Sequence, residues 1–164
     1  MISEKMEEAL NEQINAELWS AYMYLSMSAY FESENLGGFA NWMRVQADEE
    51  VEHAMRFYNY VNEVGGRVEL KPIDEVPTDW DSPLDAFQET LEHEKKVTSL
   101  INDLVDLADE ENDHATYSML QWFVDEQVEE EDSAGEIVEK LEFVGDSANG
   151  LLSLDRQLGE RSAE

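Results

Sequence analysis

A glutamate and a histidine interrupt an apolar stripe of helical spacing in the first half of the chain. The stripe repeats at steps of three or four residues and comprises Phe39, Met43, Gln46, Glu50, His53, Phe57, Val61 and Val64. Glu50 and His53 therefore lie on one face of a predicted helix, and that face is expected to be buried. A carboxylate and an imidazole are costly in an apolar interior unless a counter-charge or a metal ion accompanies them.

The same periodicity predicts four long helices and a short fifth helix in a single domain, residues 1–164. The four long helices occupy about residues 4–144, with a turn at Gly37-Gly38, and the fifth helix covers about residues 148–158. Ser82 followed by Pro83 is typical of a helix start, and Asn112 or Asp113 is expected to cap the fourth helix.

The segment from Arg67 to Ser82 is predicted to cross the length of the bundle. Pro72 and Pro77 exclude a continuous helix there. When extended, about 16 residues reach about 50 Å, whereas a helix of about 27 residues is about 40 Å long. The sequence therefore predicts an all-α four-helix bundle with a long crossover between the second and third helices.

Each long helix carries polar residues in its apolar stripe near its midpoint. They are Glu17 in the first helix, Glu50 and His53 in the second, Glu94 in the third, and Gln127 and Glu130 in the fourth. Helix midpoints meet at one level of an aligned bundle, whatever the up-down order. A single glutamate in an apolar stripe is more often a residue at the boundary of the buried face. Several carboxylates at one depth, with no Lys or Arg among them, instead require a multivalent cation. Oxygen ligands with one imidazole favour iron or manganese over a closed zinc site.

The chain is strongly acidic, since 40 acidic and 10 basic residues give a formal net charge of −30. Nucleic acid and anionic membranes are therefore not expected as partners. The acidity has two compatible explanations, a halophilic surface adapted to high salt and a protein that handles cations. Cysteine is absent, which excludes disulfides and thiolate metal sites. With no secretory signal or membrane-spanning stretch in the sequence, a cytoplasmic protein is expected.

The chain resembles the non-haem ferritins of bacteria and archaea over nearly its whole length. The motifs that carry the resemblance are Leu10-Asn11-Glu12-Gln13, Asn15-Ala16-Glu17-Leu18, Glu49-Glu50 with His53, His93-Glu94, Leu120-Gln121-Trp122-Phe123-Val124, Glu126-Gln127 and Glu129-Glu130. Where bacterioferritins have a second Glu-x-x-His motif, this chain has Gln127-x-x-Glu130, as ferritins do.

The resemblance implies a di-iron centre with catalytic residues in each subunit. The implied ligands of the first iron are Glu17, Glu50 and His53, and those of the second are Glu50 as a bridge, Glu94 and Glu130. Gln127 would stand beside the second iron as a ligand or hydrogen-bond donor, and Tyr24 would lie near the pair.

The resemblance also implies a third metal site next to the pair, formed by Glu49, Glu126 and Glu129 together with Glu130. Haem is not expected, because bacterioferritins bind it through a Met directly after the bridging glutamate, where this chain has Val51.

The function implied by the resemblance is iron storage and detoxification. A ferroxidase would oxidise Fe(II) to Fe(III) with dioxygen or hydrogen peroxide, and mineral would collect inside a homo-oligomeric cage, a twenty-four-subunit shell. Two alternatives stay open: a bacterioferritin-like di-iron protein, and a non-enzymatic acidic four-helix bundle that acts through interactions with other proteins.

Overall fold

The helices of the protein follow the predicted order. The computed structural model describes residues 2–163, so the outermost positions of the predicted domain, 1 and 164, lie outside it. In that range the chain forms five helices and no strand: α1 (Glu4–Ser33), α2 (Gly37–Glu63), α3 (Pro83–Glu110), α4 (His114–Val144) and α5 (Ala148–Leu158). The predicted all-α architecture is confirmed. None of these helices is long and apolar enough to cross a membrane.

Side-chain caps fix the starts of α1, α3, α4 and α5. The capping residues are Ser3, Ser82, Asp113 and Ser147, and each accepts a hydrogen bond from the backbone N–H three residues further on. Such caps satisfy backbone donors that have no partner inside the helix. Of the two caps considered for α4, the structure selects Asp113, whose Oδ1 lies 3.0 Å from the nitrogen of Thr116.

The turn between α1 and α2 does not lie where the sequence predicted it. Both Gly37 and Gly38 belong to α2, and the turn is formed by residues 34–36, where Asn35 adopts a left-handed φ of 58°. Asparagine tolerates that conformation, so a glycine is not needed there. Gly38 has a different role, because a Cβ built on it would lie 1.6 Å from the carbonyl oxygen of Asp155 in α5.

Residues 64–82 form the crossover and run along α1. Side chains of α1 donate hydrogen bonds to its backbone carbonyls in matching order: Asn11 to Arg67 (2.9 Å), Asn15 to Lys71 (3.2 Å), Trp19 to Glu75 (3.3 Å) and Ser26 to Pro77 (2.6 Å). Because the partners advance in the same direction, the crossover is parallel to α1. It therefore returns the chain to the end of the bundle where α1 ends, and α3 starts there.

The core consists of two apolar clusters separated along the bundle. The first apolar cluster contains Leu10, Ile14, Phe57, Val61, Ile101, Leu120 and Phe123. The second apolar cluster contains Phe31, Phe39, Trp42, Phe87, Ile137, Leu141 and, from α5, Leu154 and Leu158. Each long helix contributes to both clusters, so its middle turns lie between them and form a separate layer.

Candidate metal centre

The layer between the two apolar clusters is polar. It contains Glu17 from α1, Glu50 and His53 from α2, Glu94 from α3, and Gln127 and Glu130 from α4. None of these side chains is more than 6% exposed. The structure thus brings together the polar residues that interrupt the four apolar stripes. Ionised carboxylates at this depth are costly unless cations or protons accompany them.

A first group of potential ligand atoms joins Glu17, Glu50 and His53, whose ligand atoms lie within 4.8 Å of one another. His53 Nδ1 is 3.2 Å from Glu50 Oε2 and 4.0 Å from Glu17 Oε2. Glu17 Oε1 accepts a hydrogen bond of 3.0 Å from Gln13. In the described part of the chain, buried Glu17 Oε2 has no hydrogen-bond partner. Since an unpaired buried carboxylate oxygen is unfavourable, this atom fits a position that faces a cation.

A second group joins Glu50, Glu94 and Glu130, again within 4.8 Å. Glu50 belongs to both groups, and it has two oxygens to offer. A carboxylate in that position can bind one ion with each oxygen. The two groups therefore have the arrangement expected of a pair of metal ions joined by a bridging carboxylate.

Neutral donors hold the carboxylates of the second group. Gln46 Nε2 donates to Glu130 Oε2 at 2.7 Å and to Glu50 Oε1 at 3.3 Å. The Tyr24 hydroxyl donates to Glu94 Oε1. Gln127 Nε2 lies 3.2 Å from Glu94 Oε2 and 3.1 Å from the Glu94 carbonyl oxygen. These donors orient the carboxylates without adding charge.

Burial raises the pKa values of the carboxyl groups in this layer. The pKa of Glu94 is raised to about 7, chiefly by desolvation, although hydrogen bonds from Tyr24 and Gln127 oppose the shift. Desolvation and then the charge of Glu94 raise the pKa of Glu130 to about 8. The pKa of Glu50 is raised well above its usual value by the same two causes in the same order. Without a cation, protons therefore compensate part of the charge, and a bound metal displaces them.

Of the four residues predicted for a third site, two belong to one group of potential ligand atoms. Glu126 and Glu130 form a group with His53, and Glu126 Oε1 lies 3.9 Å from His53 Nε2. Glu49 is instead ion-paired to Arg161, with 2.7 Å between Oε2 and Nη2. Glu129 is exposed, and it lines a pocket of about 160 Å³ together with Glu49, Glu126, Glu130 and Arg161.

His93 and Trp122 both lie beside the carboxylate layer, but their surroundings differ. His93 Nε2 lies 2.7 Å from the Ser20 hydroxyl, outside the carboxylate groups, and burial lowers its pKa to about 4. The ring centroid of Trp122 is 5.5 Å from that of His53, and the guanidinium carbon of Arg56 lies 3.6 Å from the Trp122 ring. His93 is therefore placed to stabilise the helix packing, whereas Trp122 borders the metal centre.

Sequence reasoning missed the roles of Gln46 and Arg161. Gln46 stands in the apolar stripe one turn before Glu50, so its position was a signal that it faces the carboxylates. Arg161 follows α5 and belongs to no stripe, and its contact with Glu49 depends on how α5 folds back on α2. Periodicity carries no information about such a contact.

A four-helix bundle with two overlapping groups of buried carboxylate and imidazole side chains around one shared glutamate is typical of the carboxylate metal proteins. Residues 7–144 match the family model described as "Ferritin-like domain". The chain therefore belongs to the ferritin family.

Relatives with curated names agree with this family. A protein of Bacteroides fragilis named "Bacterial non-heme ferritin" is 49% identical over 161 residues, which is 98% of this chain and 100% of that protein. A protein of Staphylococcus aureus with the same name is 38% identical over 162 residues, 99% of this chain and 98% of its own.

Solved structures match the fold closely. An open pore ferritin from the hyperthermophilic archaeon Archaeoglobus fulgidus is 57% identical, with a TM-score of 0.98 over 99% of this chain and 100% of that one. An engineered closed form of that ferritin, also 57% identical, gives a TM-score of 0.99 with full coverage of both chains. These matches confirm the four-helix bundle with a short C-terminal helix.

Proposed function

We propose that the protein stores iron and oxidises Fe(II) to Fe(III) at a di-iron centre within each subunit. The observation that carries the proposal is the position of Glu50, which is shared by two buried groups of ligand atoms. Membership of the ferritin family and the curated names of the relatives support iron as the metal.

The proposed ligands follow from the two groups. Glu17, Glu50 and His53 bind the first iron, and Glu50, Glu94 and Glu130 bind the second. Gln127 is assigned as a hydrogen-bond donor beside the second iron, because its Nε2 is already directed at Glu94. Tyr24 is assigned the same task at the other Glu94 oxygen.

The proposed reaction removes one electron from each of two Fe(II) ions. The two electrons pass to dioxygen, which with two protons becomes hydrogen peroxide, or to hydrogen peroxide, which with two protons becomes two waters. Anionic oxygen ligands favour the more highly charged Fe(III) product, since electrostatic attraction grows with ion charge. Glu94 and Glu130, whose pKa values burial raises to about 7 and about 8, release protons when a cation binds.

We infer further that Glu126, Glu129, Glu130 and Glu49 hold iron that leaves the pair. The pocket that they line is adjacent to the centre, and Glu130 belongs to both. Flexible carboxylates suit transient binding of this kind. We place the mineral in a homo-oligomeric cage of the twenty-four-subunit type in the cytoplasm, without haem, since Val51 occupies the position of a haem-binding Met.

Aerobic addition of Fe(II) tests the proposal. The wild-type protein is expected to develop near-ultraviolet absorbance quickly, while Glu17→Ala and His53→Ala slow its appearance by about 10²-fold or more, since losing only a partner of a ligand costs about 10–100-fold. Glu8→Ala is the matched control, because Glu8 is an exposed carboxylate on the same helix. Equal rates in all four proteins would instead favour a non-enzymatic acidic bundle.

A further inference from the structure

The C-terminal residues after α5 reach the edge of the carboxylate centre. α5 lies against α2, where the carboxylate of Asp155 accepts a hydrogen bond of 3.0 Å from the Phe39 backbone N–H. Arg161 lies beyond the end of α5, and its carbonyl oxygen accepts a hydrogen bond of 2.9 Å from the side-chain amide of Asn41 in α2. The backbone of Arg161 is thereby fixed beside the second turn of α2.

The Arg161 guanidinium makes a closely fitted set of contacts. Nη2 donates to Glu49 Oε2 at 2.7 Å and to Gln46 Oε1 at 3.0 Å, and Nη1 donates to the Trp42 carbonyl oxygen at 3.1 Å. Its central carbon lies 4.3 Å from the centroid of the Trp42 ring. A planar fork that meets several acceptors and stacks on an aromatic ring is specific to arginine.

Gln46 connects this fork to the two carboxylate groups. Its Oε1 accepts from Arg161, so its Nε2 faces Glu130 and Glu50, at 2.7 Å and 3.3 Å. If the amide rotated by half a turn, its oxygen would face two carboxylates and its nitrogen would face a cation. Arg161 therefore determines which end of the Gln46 amide meets the buried centre.

We propose that Arg161 is a positioning residue of the metal centre, which acts through Gln46 to hold Glu130 and the shared Glu50. This role rests on the function proposed above. Arg161 does not touch the ions. It keeps the two carboxylates in the geometry that binds the ions. The metal affinity of the centre therefore depends on the docking of the C-terminal segment.

The test uses assembled full-length protein. Arg161→Met removes every donor but keeps an apolar stem over Trp42. Arg156→Ala is the control, because Arg156 is an exposed arginine in the same C-terminal region. Stopped-flow Fe(II) oxidation is expected to slow by about tenfold in Arg161→Met and to stay unchanged in Arg156→Ala. Anaerobic Co(II) titration, followed by visible absorbance, is expected to show about tenfold weaker binding of the first two equivalents.

Two further variants separate positioning from charge and from general packing. Arg161→Lys keeps the charge but not the fork, so it is expected to resemble Arg161→Met. Gln46→Ala is expected to be impaired to a similar degree, and Gln46→Ala combined with Arg161→Met no more than the worse single variant. Circular dichroism checks that each variant is folded.

The outcomes distinguish this inference from the function on which it rests. Wild-type rates and Co(II) affinity in Arg161→Met, full recovery in Arg161→Lys, or multiplied losses in the double variant would each overturn the role of Arg161 alone. Failure of the wild-type protein to oxidise Fe(II) and to bind Co(II) would overturn the metal centre itself.

Discussion

The Tyr24 hydroxyl donates a hydrogen bond to the carboxylate of Glu94, which lies 70 positions further along the chain. Tyr24 is fully buried, and desolvation followed by the charge of Glu94 raises its pKa well above 10.0. The phenol therefore stays protonated at neutral pH and acts as a donor. It holds one Glu94 oxygen while Gln127 holds the other.

Replacing this donor tests how much its orientation of Glu94 matters. Tyr24→Phe is expected to slow Fe(II) oxidation by about tenfold, because a hydrogen bond to a charged group contributes about 1.5–3 kcal/mol. The measurement is stopped-flow absorbance after aerobic mixing with two Fe(II) per subunit. Tyr60→Phe is the matched control, since its hydroxyl bonds to Thr116 outside the metal centre at 2.9 Å. A rate loss of equal size in both variants would contradict a specific role for Tyr24.

The metal-free protein is expected to lose stability as pH rises from about 4.5 to 8. Glu94 and Glu130 release their protons near pKa values of about 7 and about 8 in the folded state, against 4.5 for an ordinary glutamate. In this window the folded state binds more protons than the unfolded state, so raising the pH favours unfolding. Each such proton costs about 1.4 kcal/mol per pH unit.

Thermal unfolding of chelator-treated protein at several pH values checks this expectation. Glu130→Gln should flatten the decline, because it removes one titrating carboxyl group from the centre. Glu129→Gln is the control, since the adjacent Glu129 is exposed. Flattening of similar size in both variants would show that the overall negative charge, not the buried centre, causes the decline.

The depth of the polar layer could be predicted from sequence because it depends only on helical period and helix length. Glu17, Glu50 and Glu94 interrupt their stripes near the helix midpoints, and the packing of aligned helices brings these midpoints to one level. The position of the first turn could not be predicted in this way, because Gly38 serves a contact with α5 and not a local turn. The partners of Glu49 likewise depend on a tertiary contact with residues after α5.

Gln127→Glu tests whether the amide is needed as a donor. The amide nitrogen bonds to Glu94 and to the Thr98 hydroxyl, at 3.2 Å in each case. A carboxylate would lose these donations and add charge beside Glu94, so the metal-free protein is expected to be destabilised by about 1–3 kcal/mol. Saturation with Zn(II) should reduce this loss of stability, because the ion binds the extra carboxylate. Equal losses of thermal stability with and without Zn(II) would argue against this account.

Gly38→Ala tests the docking of α5 on α2. A Cβ there would lie 1.6 Å from the Asp155 carbonyl oxygen, so α5 must shift, with an expected loss of about 1–3 kcal/mol. Gly37→Ala is the matched control, because its Cβ would meet nothing within 4 Å. Denaturant unfolding is expected to separate the neighbouring variants, with Gly37→Ala at or above wild-type stability. Similar stabilities for the two would contradict close contact between the helices.

The net charge of −30 predicts that salt strengthens both the fold and the assembly. Repulsion between like charges acts over about 30 Å at 0.01 M salt and over about 3 Å at 1 M. The unfolding temperature is therefore expected to rise with NaCl, and light scattering is expected to show dissociation toward smaller species at 0.01 M. KCl should act as NaCl does, because screening depends on ionic strength and not on the identity of the cation. If the mass and the unfolding temperature of the assembly are the same at both concentrations, specific contacts outweigh the repulsion. The acidity of the chain would then need an explanation other than adaptation to salt.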